Sequence, residues 1–202
     1  MCGVNEQLFY LDYFYFKGNK TSKIIYILSP PLLFSETLPI ASNTFKYETF
    51  DISFFSRYLS FKGENKNERL MYYLQRKFNP KWLLNTPLSS ESKDEELDSL
   101  DITAVKNGLN KAYSGSKLNF KRFKKTTKKI EETICLAAKN NSEVIFIIPP
   151  ALFGKWRGHQ ETIDFAKSIQ SKYSNVKLFD GSEEVLLPEL YFDNHHLNTQ
   201  GI

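Results

Sequence analysis

The segment Tyr191-Phe192-Asp193-Asn194-His195-His196-Leu197-Asn198-Thr199-Gln200-Gly201 holds two of the chain's three histidines. It also places an aspartate three residues before one of them. An Asp-x-x-His spacing on a loop can bring a carboxylate beside an imidazole within one turn of chain. Such a carboxylate fixes the ring tautomer and stabilises the imidazolium formed when the ring accepts a proton, which is general-base chemistry. The alternative reading is a surface loop that happens to carry two histidines.

Three other groups of residues have chemical potential, each with a plainer alternative. Lys155, Trp156, Arg157 and His159 follow Pro149-Pro150 and suit either the rim of a substrate pocket or an ordinary surface loop. Lys117, Lys121, Arg122, Lys124, Lys125, Lys128 and Lys129 put seven cations into 13 residues. They could track the phosphates of nucleic acid or another polyanion, or form a solvated helix face. The aromatic run Phe9, Tyr10, Tyr13, Phe14, Tyr15 and Phe16 reads as core with one wet face, or as a partner-facing or membrane-facing surface. Cys2 and Cys135 are too far apart in sequence to form a clustered zinc site or a disulfide framework. No metal site is expected.

The elements that must position these residues alternate in period. Apolar residues at three- and four-residue spacing predict a helix over 5–17, ended by Gly18. Lys23 to Leu28 and Glu143 to Ile148 are short, nearly continuous apolar runs closed by Pro-Pro pairs. They predict parallel strands buried on both faces. Val176 to Asp180 is a weaker third strand. Helices are predicted over 67–78, 118–140 and 159–173. In 118–140 the apolar face should run through Phe120, Phe123, Thr127, Ile130, Ile134 and Ala137, opposite a Lys-rich face. This order gives right-handed βαβ crossovers and a three-layer α/β/α sandwich. The stretch 80–117 breaks the alternation and carries an acidic Ser-rich run. It reads as an irregular excursion within one domain spanning 1–202, too short to have a core of its own.

The composition of the 202 residues suits one globular domain: 41% hydrophobic and 15% aromatic, with a formal net charge of +4. That aromatic content excludes a disordered chain. The charge is too small to assign a nucleic-acid partner by balance alone. No apolar run approaches the roughly 20 residues that a membrane-spanning helix requires. Helical pattern begins within a few residues of Met1, and the chain stops directly after the histidine segment. A piece of a longer protein is therefore expected.

Asp193-x-x-His196-Leu197-Asn198-x-x-Gly201, following Val144-Ile145-Phe146-Ile147-Ile148-Pro149-Pro150, resembles the last conserved block of the SGNH/GDSL hydrolase superfamily. The likeness is nearest to its DltD-like, surface-polymer-modifying branches. Cys2-Gly3-Val4-Asn5-Glu6-Gln7-Leu8 resembles the segment after the first crossover of those proteins. The resemblance implies a flavodoxin-like sandwich represented without its first strand and closing helix. By the same carry-over His196 is the general base, Asp193 its orienting acid, and Gly3 an oxyanion donor, while the role of His195 stays open.

Two departures accompany it. Ser29-Pro30-Pro31 stands where standard members have a Gly-x-Asn-Asp block, so the oxyanion Asn is missing there. The nucleophilic serine turn belongs upstream of the segment resembling Cys2 to Gln7, and no counterpart follows Met1. Asp180-Gly181-Ser182 lies on the wrong side of the order, and Ser29 occupies the third block, not the first. The resemblance implies ester hydrolysis or acyl transfer on an acylated carbohydrate or cell-surface polymer, with no metal and no organic cofactor. Action in the cell envelope is implied, with membrane association only through an N-terminal segment outside this sequence. The rivals are an inactive scaffold of the same fold and a nucleic-acid-associated protein using the basic 117–129 helix. The resemblance itself implies no nucleic-acid partner.

Overall fold

The computed structural model describes residues 4–34, 51–60, 71, 102–103, 105–107, 117–152, 155–194 and 196–201. In chain order these form α1 (Val4–Phe16), β1 (Lys23–Ile27), α2 (Pro30–Phe34), α3 (Ile52–Ser60), α4 (Phe120–Lys139), β2 (Glu143–Ile148), α5 (His159–Lys172), β3 (Val176–Asp180) and a 3-10 turn, Pro188–Leu190. The expected helix over 67–78 lies outside the described residues save for residue 71. Of the excursion over 80–117, only 102–103, 105–107 and 117 are described. The chain divides into two compact units, Met1–Lys20 with Glu36–Glu91, and Thr21–Ser35 with Ser92–Ile202.

In the first unit α1 stops where the sequence predicts. Gly18 adopts φ +79°, its N–H bonds to the Tyr15 carbonyl at 2.9 Å, and Asn19 N bonds to the Phe14 carbonyl at 3.3 Å. This is the Schellman closure that a left-handed glycine permits. Asp51 caps α3, its Oδ1 accepting from Ser53 N at 2.8 Å and from the Ser53 hydroxyl at 2.5 Å. The Tyr13 hydroxyl donates to Asp51 Oδ2 at 2.7 Å. Arg57 bonds Asp12 through two nitrogens, at 2.6 and 2.9 Å. Between the helices Phe9, Phe54 and Tyr58 are buried together, with Phe9 edge-on to both partners at 5.3 and 5.4 Å. Phe16 is the wet end, exposed beneath the Arg57 guanidinium at 4.3 Å.

The second unit is a mixed α/β arrangement around a three-stranded parallel sheet, ordered β1-β2-β3. The registers pair Ile24 with Val144, Tyr26 with Phe146, and Phe146 with Leu178. Both crossovers step the same way across the sheet, so right-handed connections lay α4 and α5 on one face. The rings agree: Phe123 of α4 meets Phe165 of α5 at 6.3 Å, and Phe165 meets Phe146 of β2 at 6.4 Å. Val144, Phe146 and Ile148 are buried on that face together with Tyr26 and Leu28.

Two expectations are corrected here. The strand runs are parallel as predicted, but β1 is an edge strand among the described residues and is buried on one face only. Ile25 is 64% exposed, Ile27 49% and Phe179 55%. An uninterrupted apolar run hides the period of 2 that would have revealed this one-sidedness. The buried stripe of α4 also differs from the predicted one. It runs through Thr126, Ile130, Thr133, Ile134 and Ala137, while Phe120 is 56% exposed at the helix start. Threonine can occupy such a stripe because its hydroxyl bonds back to its own helix, as Thr133 does to the Lys129 carbonyl at 3.1 Å.

Candidate functional site

Parallel strands direct all their C-terminal ends to one edge, and open α/β sheets build their sites there. Three loops are tied together at this edge. The loop after β2 is held to the loop after β3 by Ala151 N donating to the Ser182 carbonyl at 3.4 Å, and to the histidine segment by Leu152 N donating to the Asn194 carbonyl at 3.1 Å. The Lys155–Glu183 ion pair at 3.0 Å adds a second tie between the first two.

The histidine segment folds back on itself. Tyr191 and Leu197 form an isolated antiparallel bridge, and Phe192 N donates to the His196 carbonyl at 2.9 Å. Inside this narrow loop Asp193 serves His196 twice. Oδ1 accepts from the His196 backbone N–H at 2.8 Å, and Oδ2 lies 2.7 Å from Nδ1 of the ring. With Nδ1–H donating to the carboxylate, Nε2 is the nitrogen that carries the lone pair, as a general base requires. The Asp193 side chain is 15% exposed and that of His196 62%. The acid is thus sheltered and the ring presented outward.

The loop is braced from below. Tyr191 is fully buried with Leu152 and Val105, and its hydroxyl donates to the Val185 carbonyl at 2.6 Å. Burial raises the Tyr191 pKa, so the hydroxyl keeps its proton. Val105 belongs to the stretch read as an irregular excursion, so that stretch contributes at least one side chain to the packing under the site. Asn198 closes the loop. Its N–H reaches the Leu190 carbonyl at 3.0 Å, its Nδ2 reaches the Glu189 carbonyl at 2.6 Å, and its Oδ1 accepts from Gln200 N and Gly201 N, each at 3.0 Å. This is the N-cap geometry expected of an Asn opening a helical turn. Gly201 is dictated by crowding, because a Cβ there would strike the Leu190 carbonyl oxygen and the Leu197 side chain.

The remaining predicted site residues divide. Gly3 and His195 lie outside the described residues. Ser29 follows β1, but its hydroxyl accepts from Leu32 N at 3.4 Å and its carbonyl from Leu33 N at 3.2 Å. It acts as a cap for α2.

Sequence reading missed a second His–Asp pair at the same edge. His159, first residue of α5 and buried, sets Nε2 3.5 Å from Oδ2 of Asp180, the last residue of β3. Asp180 Oδ1 accepts from Ser182 N at 3.1 Å. The detectable signal was topological: a helix start after one strand and the end of the next strand meet at one edge. The Gly158 before His159 has φ +86°, and a Cβ there would lie 2.7 Å from Phe34 and 3.3 Å from Leu118. That glycine lets the loop press against the start of α4. Among the described residues no group of three or more His, Cys, Asp or Glu side chains is arranged to hold a metal ion.

No protein-family model, curated protein or solved structure matches the chain.

Proposed function

We propose that this chain is the base-bearing part of an SGNH-type ester hydrolase or O-acyltransferase acting on an acylated carbohydrate or cell-surface polymer. The reading includes the finer fold that goes with that class, a flavodoxin-like three-layer sandwich. One observation carries it: the Asp193 carboxylate holds Nδ1 of His196 at 2.7 Å on a loop at the C-terminal edge of a parallel sheet. In this reading a serine supplied by an upstream segment attacks the acyl carbonyl. His196 Nε2 takes the serine proton and Asp193 stabilises the imidazolium. The proton returns from His196 to the departing alkoxide, leaving an acyl-serine that water or a second hydroxyl then resolves.

The test compares the chain alone with a longer reading frame that includes a strand and a Gly-Asp-Ser or Gly-Ser-Ser turn. The chain alone is expected to leave p-nitrophenyl acetate unhydrolysed. The longer protein is expected to turn it over and to form a covalent adduct with a fluorophosphonate. A longer protein with no such turn, or with the turn and no adduct, would favour the inactive scaffold.

A further inference from the structure

The outer face of α4 has no role in the reading above. Lys121, Lys124 and Lys128 recur at three- and four-residue spacing on the side opposite Thr126, Ile130, Thr133 and Ala137, which are buried. They cover about 10 Å of helix at 1.5 Å per residue. Lys117 precedes the helix, and all four lysines are exposed. Among the described residues none of the four is held in an ion pair. Beyond Lys128 the face changes: Glu131 is held by Lys172 and Glu132 by Lys129.

Two further observations point to an anionic occupant with an apolar interior. The first turn of α4 has no acidic residue, although the positive end of the helix dipole favours anions and disfavours the cations placed there. An anionic partner would remove that conflict. Phe120 is 56% exposed one turn before Lys124, its other side lying against Phe34 at 5.7 Å.

We infer that the N-terminal half of α4 docks on an anionic lipid surface, with the lysines at the headgroups and Phe120 entering the headgroup–acyl boundary. A convex row of lysine point charges with one apolar ring among them suits a bilayer interface. A nucleic-acid backbone would answer the lysines but offers no apolar phase to Phe120. This surface is independent of the Asp193–His196 site, so either proposal can fail alone.

The test is flotation of the whole chain with phosphatidylcholine vesicles, with and without phosphatidylglycerol. Binding is expected only to the anionic vesicles and is expected to vanish near 1 M salt, where the Debye length is about 3 Å. Each lysine near an anionic surface contributes roughly fivefold in partitioning, so the Lys121→Gln/Lys124→Gln/Lys128→Gln variant should bind about a hundredfold less. Phe120→Ser should weaken binding several-fold with all lysines kept. Unchanged melting curves establish that the variants fold. Equal binding to neutral vesicles, no binding, or a triple variant that floats like the parent would overturn the inference. So would displacement from vesicles by duplex DNA at equal charge concentration with an affinity for DNA that Phe120→Ser leaves unchanged.

Discussion

At the scale of single residues, the separation of roles within Asp193-Asn194-His195-His196 yields the sharpest expectations. In a longer protein that carries the serine turn, His196→Ala should lower kcat by about 10⁴ or more, since triad members act as a unit. Asp193→Asn should cost on the order of 10⁴, because an amide at 2.7 Å from Nδ1 no longer enforces the same tautomer. Steady-state hydrolysis of p-nitrophenyl acetate measures both, and His195→Ala should cost far less. The reverse ranking of the two histidines would remove the assignment. Turnover by the chain alone that disappears in His196→Ala would instead direct attention to a serine within it. His159 offers an internal control. It is buried and faces Asp180 at 3.5 Å, so His159→Ala is expected to lower the melting temperature, whereas His196→Ala, whose ring is exposed, should hardly change it.

At the scale of elements, two small devices decide whether α3 and the histidine loop hold their shape. Asp51 caps α3 and receives the Tyr13 hydroxyl from α1, and these hydrogen bonds, that of Ser53 foremost, hold its carboxyl well below the ordinary aspartate range. A carboxyl with a lowered native pKa contributes stability that is complete above the ordinary value, about pH 4, and lost as pH falls through the native value. Asp51→Asn should therefore flatten the acid limb of the unfolding profile by lowering stability on its neutral side, with parent and variant converging in strong acid. Circular dichroism between neutral pH and strong acid would check this, and an acid limb identical in parent and variant would contradict it. In the histidine loop, Gly201→Ala must displace the Leu190 carbonyl or the Leu197 side chain. Asn198→Ala would leave backbone groups of residues 189, 200 and 201 without their side-chain partner, at about 0.5–2 kcal/mol, the usual cost of losing an N-cap. Proton NMR of the His196 ring should report loss of the fixed Nδ1 environment in either variant before the sheet unfolds.

At the scale of the whole molecule, the order α1, β1, α4, β2, α5, β3 was legible because the period of the apolar residues changes at Gly18, Ser29, Asn141 and Tyr173, whereas the short helices α2 and α3 were not among the predicted elements. The Asp193–His196 pair was legible because both partners lie within one narrow loop. The His159–Asp180 pair was not, since those residues are 21 positions apart and meet only through the parallel register of β2 and β3. Nor was the one-sided burial of β1, because isoleucine and tyrosine at successive positions carry no polar mark of an outer face. That last point is open to measurement. Phe146→Ala removes a fully buried ring and should cost about 3–5 kcal/mol. Ile25→Thr and Ile27→Thr change side chains that are 64% and 49% exposed, and each should stay within about 0.5 kcal/mol of the parent. Urea unfolding of the three variants decides between two architectures. A cost above about 1.5 kcal/mol for the isoleucine changes would mean that a second helical layer covers this face, as in the three-layer sandwich of the proposed family. Near-neutral changes would mean that the helices α4 and α5 on the opposite face are sufficient to hold the sheet.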